Sequence, residues 1–458
     1  MLKPSLYLFS WIFGLVSQQQ HDLYMHYNEK QLTSGSYGHT IHNGQVFSPN
    51  NEWIVYDTRN DDTQIGSTDR IEMVNIHSAE VKELYRTERQ TPFGPGVGAA
   101  SFSPVESKVL FIHGIRNADK EKPYSITRRT GVAVQTDQPL KPIFMDARDI
   151  TAPYTPGALR GGTHAHSWSG DGKMISFTYN DAVFAEQQPG KTGQDLRTVG
   201  VMVPGIVSVD EDRGLENNSG TYFSVIAAQV ITNPRWGSDE VDRAFDETWI
   251  GNKGYIKADG SRQHRAIAFQ GNVYDESGVS LTEVFVIDLP EDLKKPRSGY
   301  PLEGTSTTLP NTPLGVVQRR LTHGAHVGGP RHWLRSTPDG SLIFYLARDR
   351  KGLVQLFSVA TIGGEIRQIT DNDFSIQGPF NVHPNGKELV YPADNSLFIT
   401  NIFSGNTQRI TPRFSDQEKP VGAPVYAHNG EHIAYNRYVG SGHHRFLQIF
   451  LLTHALRN

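Results

Sequence analysis

The sequence predicts an all-β protein, a seven-bladed β-propeller of four-stranded antiparallel blades, and three observations support this. A turn signature recurs seven times, and an apolar strand ending in an aromatic residue follows each copy. A second signature, an apolar residue and threonine after Gln or Arg, recurs at residues 31–33, 320–322, 368–370 and 409–411. Gly and Pro, 44 and 26 of 458 residues, follow no collagen-like period, as expected for many tight turns.

Each turn signature has the chemistry of a β-hairpin. The seven copies begin, in chain order, at Phe47, Phe102, Trp168, Ile256, Ser336, Val382 and Tyr426. Pro fixes φ at the first turn position, Asp or Asn bonds its own backbone, and Gly accepts a positive φ. The copy at Ser336 lies 46 residues before the one at Val382, which lies 44 before the one at Tyr426. This is the length of a bare four-stranded blade, so the longer earlier units carry insertions, chiefly around residues 181–250.

The two ends of the chain predict how the ring closes. The last unit ends in the apolar strand 447–452 and lacks the second signature, whereas residues 30–33 supply one with no unit before them. We therefore expect the N-terminal strand to complete the last blade and hide its sheet edge. Residues 29–458 then form one domain, although the length alone favours about three.

Composition excludes several classes of function. The formal net charge of −4 gives no field that gathers nucleic acid, so we expect no nucleic-acid partner. The chain has no cysteine, which excludes a disulfide framework, a thiolate nucleophile and a Cys-ligated metal. Any metal must therefore bind to oxygen atoms or to some of the 18 histidines.

Residues 1–20 predict a secretory signal or an uncleaved membrane anchor. Lys3 precedes the apolar run 6–16, which is too short to span a bilayer comfortably. Leu15 stands where a small residue is preferred before cleavage, so both alternatives stay open. We expect a periplasmic or secreted protein with no further membrane span, and a cytoplasmic location is the alternative.

The residues just before each turn signature predict the functional site. In a propeller the first strand of each blade lines the central channel, so these residues converge from different blades. We expect a ligand-binding site at the channel mouth, formed by His42, Asn43, Asn252, Arg331 and Gln377.

Three histidines from the same windows predict a metal site. His164 and His166 share one face of a strand because side chains repeat every two residues, and His332 stands at the position of His164 in another blade. Together they suit one divalent ion such as Mn, Zn or Ca. A water-filled channel lining and structurally hydrogen-bonded histidines are the alternatives.

The repeat resembles the TolB-type, WD-like β-propeller repeat of bacterial proteins, whose blades carry the Leu-Thr and Ser-Pro-Asp-Gly punctuation seen at residues 32–33, 47–50, 321–322 and 337–340. The whole chain is similar to bacterial TolB-like propellers with no assigned activity. More distantly it resembles the oligogalacturonate lyases, propellers that hold a divalent metal with histidines and a glutamine. This second resemblance implies a metal on His164, His166, His332 and Gln377, with Arg331 or Arg335 meeting a substrate carboxylate. The chain departs from that family at residues 378–380, where Gly-Pro-Phe follows the glutamine.

Two classes of function follow. The first is a binding or interaction protein that recognises a small polar ligand or a protein partner at the channel mouth, with Trp236 and Trp249 as an aromatic wall. The second is a metal-dependent enzyme acting on acidic sugars. The sequence does not decide whether the protein is an enzyme, because a propeller repeat specifies a fold and not a chemistry.

Overall fold

The protein is an all-β, seven-bladed propeller in a computed structural model that describes residues 27–61, 63–186, 196–324 and 327–454. Each blade is an antiparallel sheet, mainly of four strands, and the seven blades follow one another around a ring. The predicted fold class is confirmed.

The first three blades take up the chain as far as residue 226. The N-terminal strand is β1 (Tyr27–Gln31). Blade one comprises β2 (Trp53–Asp57), β3 (Arg70–Asn75) and β4 (Val81–Arg86). Blade two comprises β5 (Val97–Phe102), β6 (Lys108–Gly114), β7 (Arg129–Gln135) and β8 (Gln138–Phe144). The next segment comprises the short parallel pair β9 (Ala147–Arg148) and β10 (Ala158–Leu159), then blade three with β11 (Gly161–Trp168), β12 (Ile175–Asp181), β13 (Thr198–Val207) and β14 (Gly220–Ile226).

Blade four contains an additional hairpin. It comprises β15 (Arg243–Trp249), the hairpin β16 (Tyr255–Ile256) and β17 (Arg262–Gln263), then β18 (Ala266–Tyr274), β19 (Ser280–Asp288) and β20 (Val317–Arg320). Blade five comprises β21 (Val327–Ser336), β22 (Leu342–Arg348), β23 (Val354–Ala360) and β24 (Arg367–Gln368). Blade six comprises β25 (Asn381–Val382), β26 (Glu388–Ala393), β27 (Ser396–Asn401) and β28 (Thr407–Arg409). Blade seven comprises β29 (Pro420–Tyr426), β30 (His432–Val439) and β31 (Phe446–His454).

Helix is nearly absent from the described residues, which contain the short α1 (Ala182–Glu186) and 3₁₀ turns at Ile65–Ser67, Glu211–Arg213 and Gly442–His444. None of the helices in this part of the chain is long and apolar enough to cross a membrane. The predicted signal or anchor, residues 1–20, lies outside the described residues and stays a prediction.

The ring closes as predicted, because β1 pairs antiparallel with β31, from Tyr27 opposite His454 to Gln31 opposite Phe450. Glu29 holds this strand to the rest of blade seven. Its carboxylate accepts a hydrogen bond from the Tyr435 hydroxyl and forms an ion pair with Arg437 at 2.9 Å. The first strand of the chain therefore completes the last blade and covers its sheet edge.

The turn signature works as its chemistry predicts. In blade five the Thr337 hydroxyl donates to Asp339 at 2.6 Å and accepts from the backbone N–H of Leu342 at 3.1 Å, while Gly340 takes a φ of +76°. The aromatic residue within each following strand is buried between blades, as for Tyr345 in β22 at 0% exposure. The repeat thus encodes both the turn and the packing between neighbouring sheets.

Blade four differs from the predicted alignment. Its innermost strand is β15, and residues 250–252 form the turn after it. The signature that begins at Ile256 therefore lies in the additional hairpin of β16 and β17. Residues 243–248, predicted to belong to an insertion, form that inner strand. The long connection of this blade is residues 289–316, between β19 and β20.

Candidate functional site

In six blades the segment that leads into the signature turn contains a residue with a left-handed backbone. These residues are Gln45, Ala99, Ala165, Asp246, His332 and Gly422, with φ between 52° and 72°. In β5, β11, β15, β21 and β29 the pairing with the neighbouring strand shifts register nearby, as at a β-bulge. A left-handed non-glycine residue costs of order 1–3 kcal/mol. The bulges interrupt the two-residue alternation, so sequence position alone does not show which side chains face the channel.

A cavity of about 680 Å³ lies where the inner strands end and the signature turns begin. All seven blades line it, through residues within 42–49, 104, 167–171, 247–253, 333–338, 381–384 and 425–428. Its volume is that of a site for a small molecule. This cavity is the channel mouth of the ring.

Arg335, on β21, is a half-buried cation that lines this cavity. Its Nε donates to Oδ1 of Asn381 at 2.6 Å, its Nη1 to the Leu334 carbonyl at 2.8 Å, and its Nη2 to the Asn43 carbonyl at 2.7 Å. No carboxylate of a described residue forms an ion pair with it within 4 Å. Burial lowers the pKa of Arg335 to about 10, and Asp246 partly opposes the change. The side chain is thus positively charged at neutral pH.

Two neighbouring carboxylates, those of Asp246 and Glu247, belong to β15, and Asp246 acts electrostatically on Arg335. Glu247 lines the cavity and is 2% exposed, and its Oε2 accepts from the Thr178 hydroxyl at 2.8 Å. Its Oε1 lies beside the Ser176 hydroxyl without a hydrogen bond of normal geometry. Burial raises the pKa of Glu247 to about 7. Burial also raises the pKa of Asp246 to about 6, against the pull of three arginines that include Arg335. Glu247 is therefore partly protonated at neutral pH.

Two indole rings form apolar walls of the cavity. Trp249 is fixed by a hydrogen bond from its Nε1 to the Ser167 carbonyl at 3.0 Å, and Trp333 meets His42 edge-on at 6.5 Å between ring centroids. Trp236, the other half of the predicted wall, is 64% exposed and does not line the cavity. The aromatic surface comes from blades four and five instead.

Comparison with known proteins decides the family. Residues 96–216 match a family model described as a protein of unknown function, DUF3748. Over 422 residues, 90% of this chain and 96% of the other, the sequence is 38% identical to the uncharacterized protein YidR of Escherichia coli strain K12. The chain belongs to the YidR family.

Solved structures share the fold of this YidR-family propeller at low sequence identity. An oligogalacturonate lyase in complex with manganese has a TM-score of 0.54 and 12% identity, with 93% of each chain covered. The oligogalacturonate lyase of Vibrio parahaemolyticus has a TM-score of 0.52 and 8% identity, covering 93% of this chain and 97% of the other. TolB of Acinetobacter baumannii has a TM-score of 0.35 and 11% identity, covering 88% and 80%. At these identities the first two similarities establish the fold alone.

Three of the predicted ligand-binding residues of the YidR-family chain lie at the cavity. His42 and Asn43 line it, and Asn252 lines its rim, where its backbone N–H donates to the Pro338 carbonyl at 2.8 Å. Burial lowers the pKa of His42 to about 3, so its imidazole is neutral. The other two, Arg331 and Gln377, do not line the cavity. Arg331 is exposed, and the Gln377 side chain accepts from the backbone N–H of Asn395 at 3.0 Å.

The predicted metal ligands do not come together as one group. The Nε2 of His166 lies 3.0 Å from the Thr163 hydroxyl on its own strand and against Gly131 of blade two, and burial lowers its pKa to about 3. Burial also holds the pKa of His164 well below its usual range. His332 is at the bulge of β21, and its carbonyl accepts from the Gln270 amide.

Among the described residues, no group of three or more His, Asp or Glu side chains is arranged to hold a metal ion. The described side chains therefore do not fit the predicted centre. His326, the other histidine of that region, lies outside the described residues.

One position that lines the cavity was not predicted from the sequence. The residue directly before the turn signature lines it in five blades, as Ser167, Thr248, Arg335, Asn381 and Val425. Of the residues four and five places before the signature, His42 and Asn43 line the cavity, whereas His164, His332 and Gln377 do not. In blade four the signal was present, because Trp-Ile-Gly-Asn at residues 249–252 has the pattern of Trp-Ser-Gly-Asp at 168–171. In that alignment Glu247 stands at the position equivalent to His166, two residues before the tryptophan, which identifies Glu247 as a channel residue.

Proposed function

We propose that this YidR-family propeller binds a small polar anion, such as a carboxylate-bearing molecule, in the channel-mouth cavity. The observation that carries the proposal is the half-buried guanidinium of Arg335, which faces a cavity of ligand size without an ion-pair partner among the described residues. A partly desolvated charge without an opposite charge is costly, and a bound anion offsets that cost.

The hydrogen bonds of Arg335 orient it for this role. A guanidinium has five N–H groups, and three of them are bound to Asn381, Leu334 and Asn43. One N–H on each terminal nitrogen is left for a ligand. Two such donors match the two oxygens of a carboxylate, which is why arginine recognises that group well.

The other walls suit a polar molecule with an apolar face. The indoles of Trp249 and Trp333 offer flat apolar surfaces, and the neutral imidazole of His42 both donates and accepts hydrogen bonds. When protonated, Glu247 adds a buried donor next to the cavity. Binding of a polar anion therefore needs no group beyond those in the described part of the chain.

A metal-dependent enzyme acting on acidic sugars is the second candidate. It is favoured by the fold similarity to a lyase that contains manganese. A third occupant, a protein partner at the channel mouth, stays a prediction from the sequence. The three candidates differ in their dependence on ligand charge, on metal and on ligand size.

Calorimetry with galacturonate and glucuronate, compared with galactose and glucose, tests the proposal. We expect the acids to bind and the neutral sugars to bind at least tenfold more weakly, with no effect of EDTA. Arg335→Gln should remove the preference for the acids. Arg350→Gln is the control, since Arg350 is an exposed arginine that does not line the cavity. Binding of the acids that disappears with EDTA would favour the metal-dependent enzyme instead.

We also propose that the protein acts after export, on the basis of the signal-like residues 1–20. Fractionation of bacterial cells that express the full chain with a C-terminal tag tests this. The tagged protein should appear in the periplasm or the medium, and recovery with a cytoplasmic marker would contradict the proposal.

A further inference from the structure

A second cavity system lies on the outside of the ring, between blades three and four. The connection 289–316 packs over the end of β14 and leaves cavities of about 350 and 250 Å³. The two share the lining residues Gln229, Ile231, Arg297 and Thr312, so they are adjacent parts of one groove. We call this groove the outer groove.

Arg297 is poorly satisfied for a cation. Its Nη2 donates to the Thr312 hydroxyl at 3.3 Å, and its guanidinium faces the Tyr300 ring at 5.2 Å. Its Nε is buried and has no hydrogen-bond partner, and no carboxylate of a described residue lies within 4 Å. The guanidinium of Arg297 thus has one hydroxyl acceptor and no opposite charge among the described residues, and its remaining N–H groups can bind an anion.

The charge balance of the groove points the same way. Its larger cavity also contains Asp239 and Glu240, but both carboxylates have partners. Asp239 forms an ion pair with Arg320 at 3.4 Å, and Glu240 forms one with Arg235 at 3.0 Å. Among the described charges that line the groove, that of Arg297 is the one left without an opposite charge.

The smaller cavity supplies an apolar pocket beside this cation. Phe184, Ile226, Val230, Leu309 and Pro310 line it. Its volume, about 250 Å³, is large enough for one aromatic ring or a branched aliphatic group and too small for an oligomer. An apolar group buried there would leave the polar end of the same molecule at Arg297.

We propose that the outer groove is a second ligand site, separate from the channel, for a small carboxylic acid with one aromatic or branched aliphatic group. The carboxylate binds to Arg297 and completes its hydrogen bonds. The apolar group occupies the smaller cavity. The two sites are independent, since no residue that lines the groove lines the channel mouth.

Phenylacetate and its uncharged isostere phenylacetamide are suitable probes, measured on the full chain by calorimetry or ligand-observed NMR. We expect saturable binding of phenylacetate and at least tenfold weaker binding of the amide. Arg297→Gln should lower the affinity for phenylacetate at least tenfold and abolish the difference between the two probes. Arg350→Gln, which removes an exposed arginine that lines neither cavity of the groove, should leave both affinities unchanged.

A second variant guards against misfolding of the first. Val230→Trp fills the smaller cavity from a half-buried position and leaves Arg297 in place, so it should also abolish binding of phenylacetate. The proposal fails if phenylacetate does not bind up to its solubility limit, or if it binds equally to the Arg297→Gln and Val230→Trp variants. It fails as well if Arg335→Gln, rather than Arg297→Gln, removes the binding, because the probe would then occupy the channel mouth.

Discussion

Replacing Arg335 by glutamine should lower the affinity for an acidic ligand about 10- to 150-fold and change the free energy of unfolding by only about 1–2 kcal/mol. The variant loses up to three hydrogen bonds from a charged donor, each of which contributes about 1.5 kcal/mol, or about 4.5 kcal/mol together. It also loses a charge that folding desolvates. The fall in the pKa of Arg335 from 12.5 to about 10 corresponds to about 3 kcal/mol at about 1.4 kcal/mol per tenfold change.

The sign of the charge effect is fixed by its direction. A basic group whose pKa falls on folding is destabilised in its charged form, so the cost is present in full at any pH below about 10. At pH 7 the two effects therefore oppose each other and leave a net destabilisation of about 1–2 kcal/mol. The loss in affinity has nothing to cancel it, and one or two charged hydrogen bonds correspond to about 10- to 150-fold.

Urea unfolding at pH 7, followed by fluorescence, measures the first quantity, and calorimetry with galacturonate measures the second. We expect the Arg335→Gln variant to lie within about 2 kcal/mol of the unmodified chain in unfolding free energy. Arg335→Lys keeps a charge without the planar fork and should bind weakly. A destabilisation of more than about 3 kcal/mol would refute the reasoning, because Arg335 would then serve mainly to tie blade five to its neighbours.

Three further predictions concern protonation, metal and ring closure. Because the pKa of Glu247 rises from 4.5 to about 7 on folding, stability should fall by about 3 kcal/mol as pH rises from about 4.5 to 7, and Glu247→Gln should remove this fall in urea titrations at pH 5 and 8. Elemental analysis of the double variant His164→Ala, His332→Ala should show the same metal content as the unmodified chain, and stoichiometric metal lost on substitution would restore the predicted metal site. Deletion of residues 1–33 exposes the edge of β31 and should cause self-association on size-exclusion chromatography, whereas deletion of residues 1–26 should not.

The fold was predictable because the repeat carries its own physical reasons. Turn residues such as Asp339 and Gly340 have one structural role in each blade, and a buried aromatic such as Tyr345 fills the same space between sheets. The missing strand of the last unit and the spare strand at residues 30–33 sufficed to predict closure. Each of these features depends on local chemistry or on the symmetry of the ring.

The site was less predictable, for two physical reasons. The left-handed residues Ala165 and Asp246 interrupt the alternation of side chains within their strands. Counting by two therefore does not show which way His164 and His166 point, and no described group of three such side chains is arranged to hold a metal ion. The additional hairpin in blade four contains a second copy of the turn signature, and the sequence alignment took the copy at Ile256 instead of the one at Trp249. Arg335 was named only through a resemblance, yet it is the residue whose environment decides the proposal.

The position just before the turn signature shows how a symmetric ring acquires a chemically specific centre. Ser167, Thr248 and Val425 occupy this position in three blades and could serve in any propeller, whereas Arg335 and Asn381 occupy it in neighbouring blades and bond to each other at 2.6 Å. The backbone there is held by sheet pairing and by the turn, and the turn does not depend on this side chain. The side chain packs in the core in some blades, as for Val425, which is 4% exposed, and bonds polar groups in others, so blades can differ at this position. The charge asymmetry of the cavity therefore arises where the repeat imposes no side chain, and the same positions are the first to compare when the ligand of another YidR-family propeller is sought.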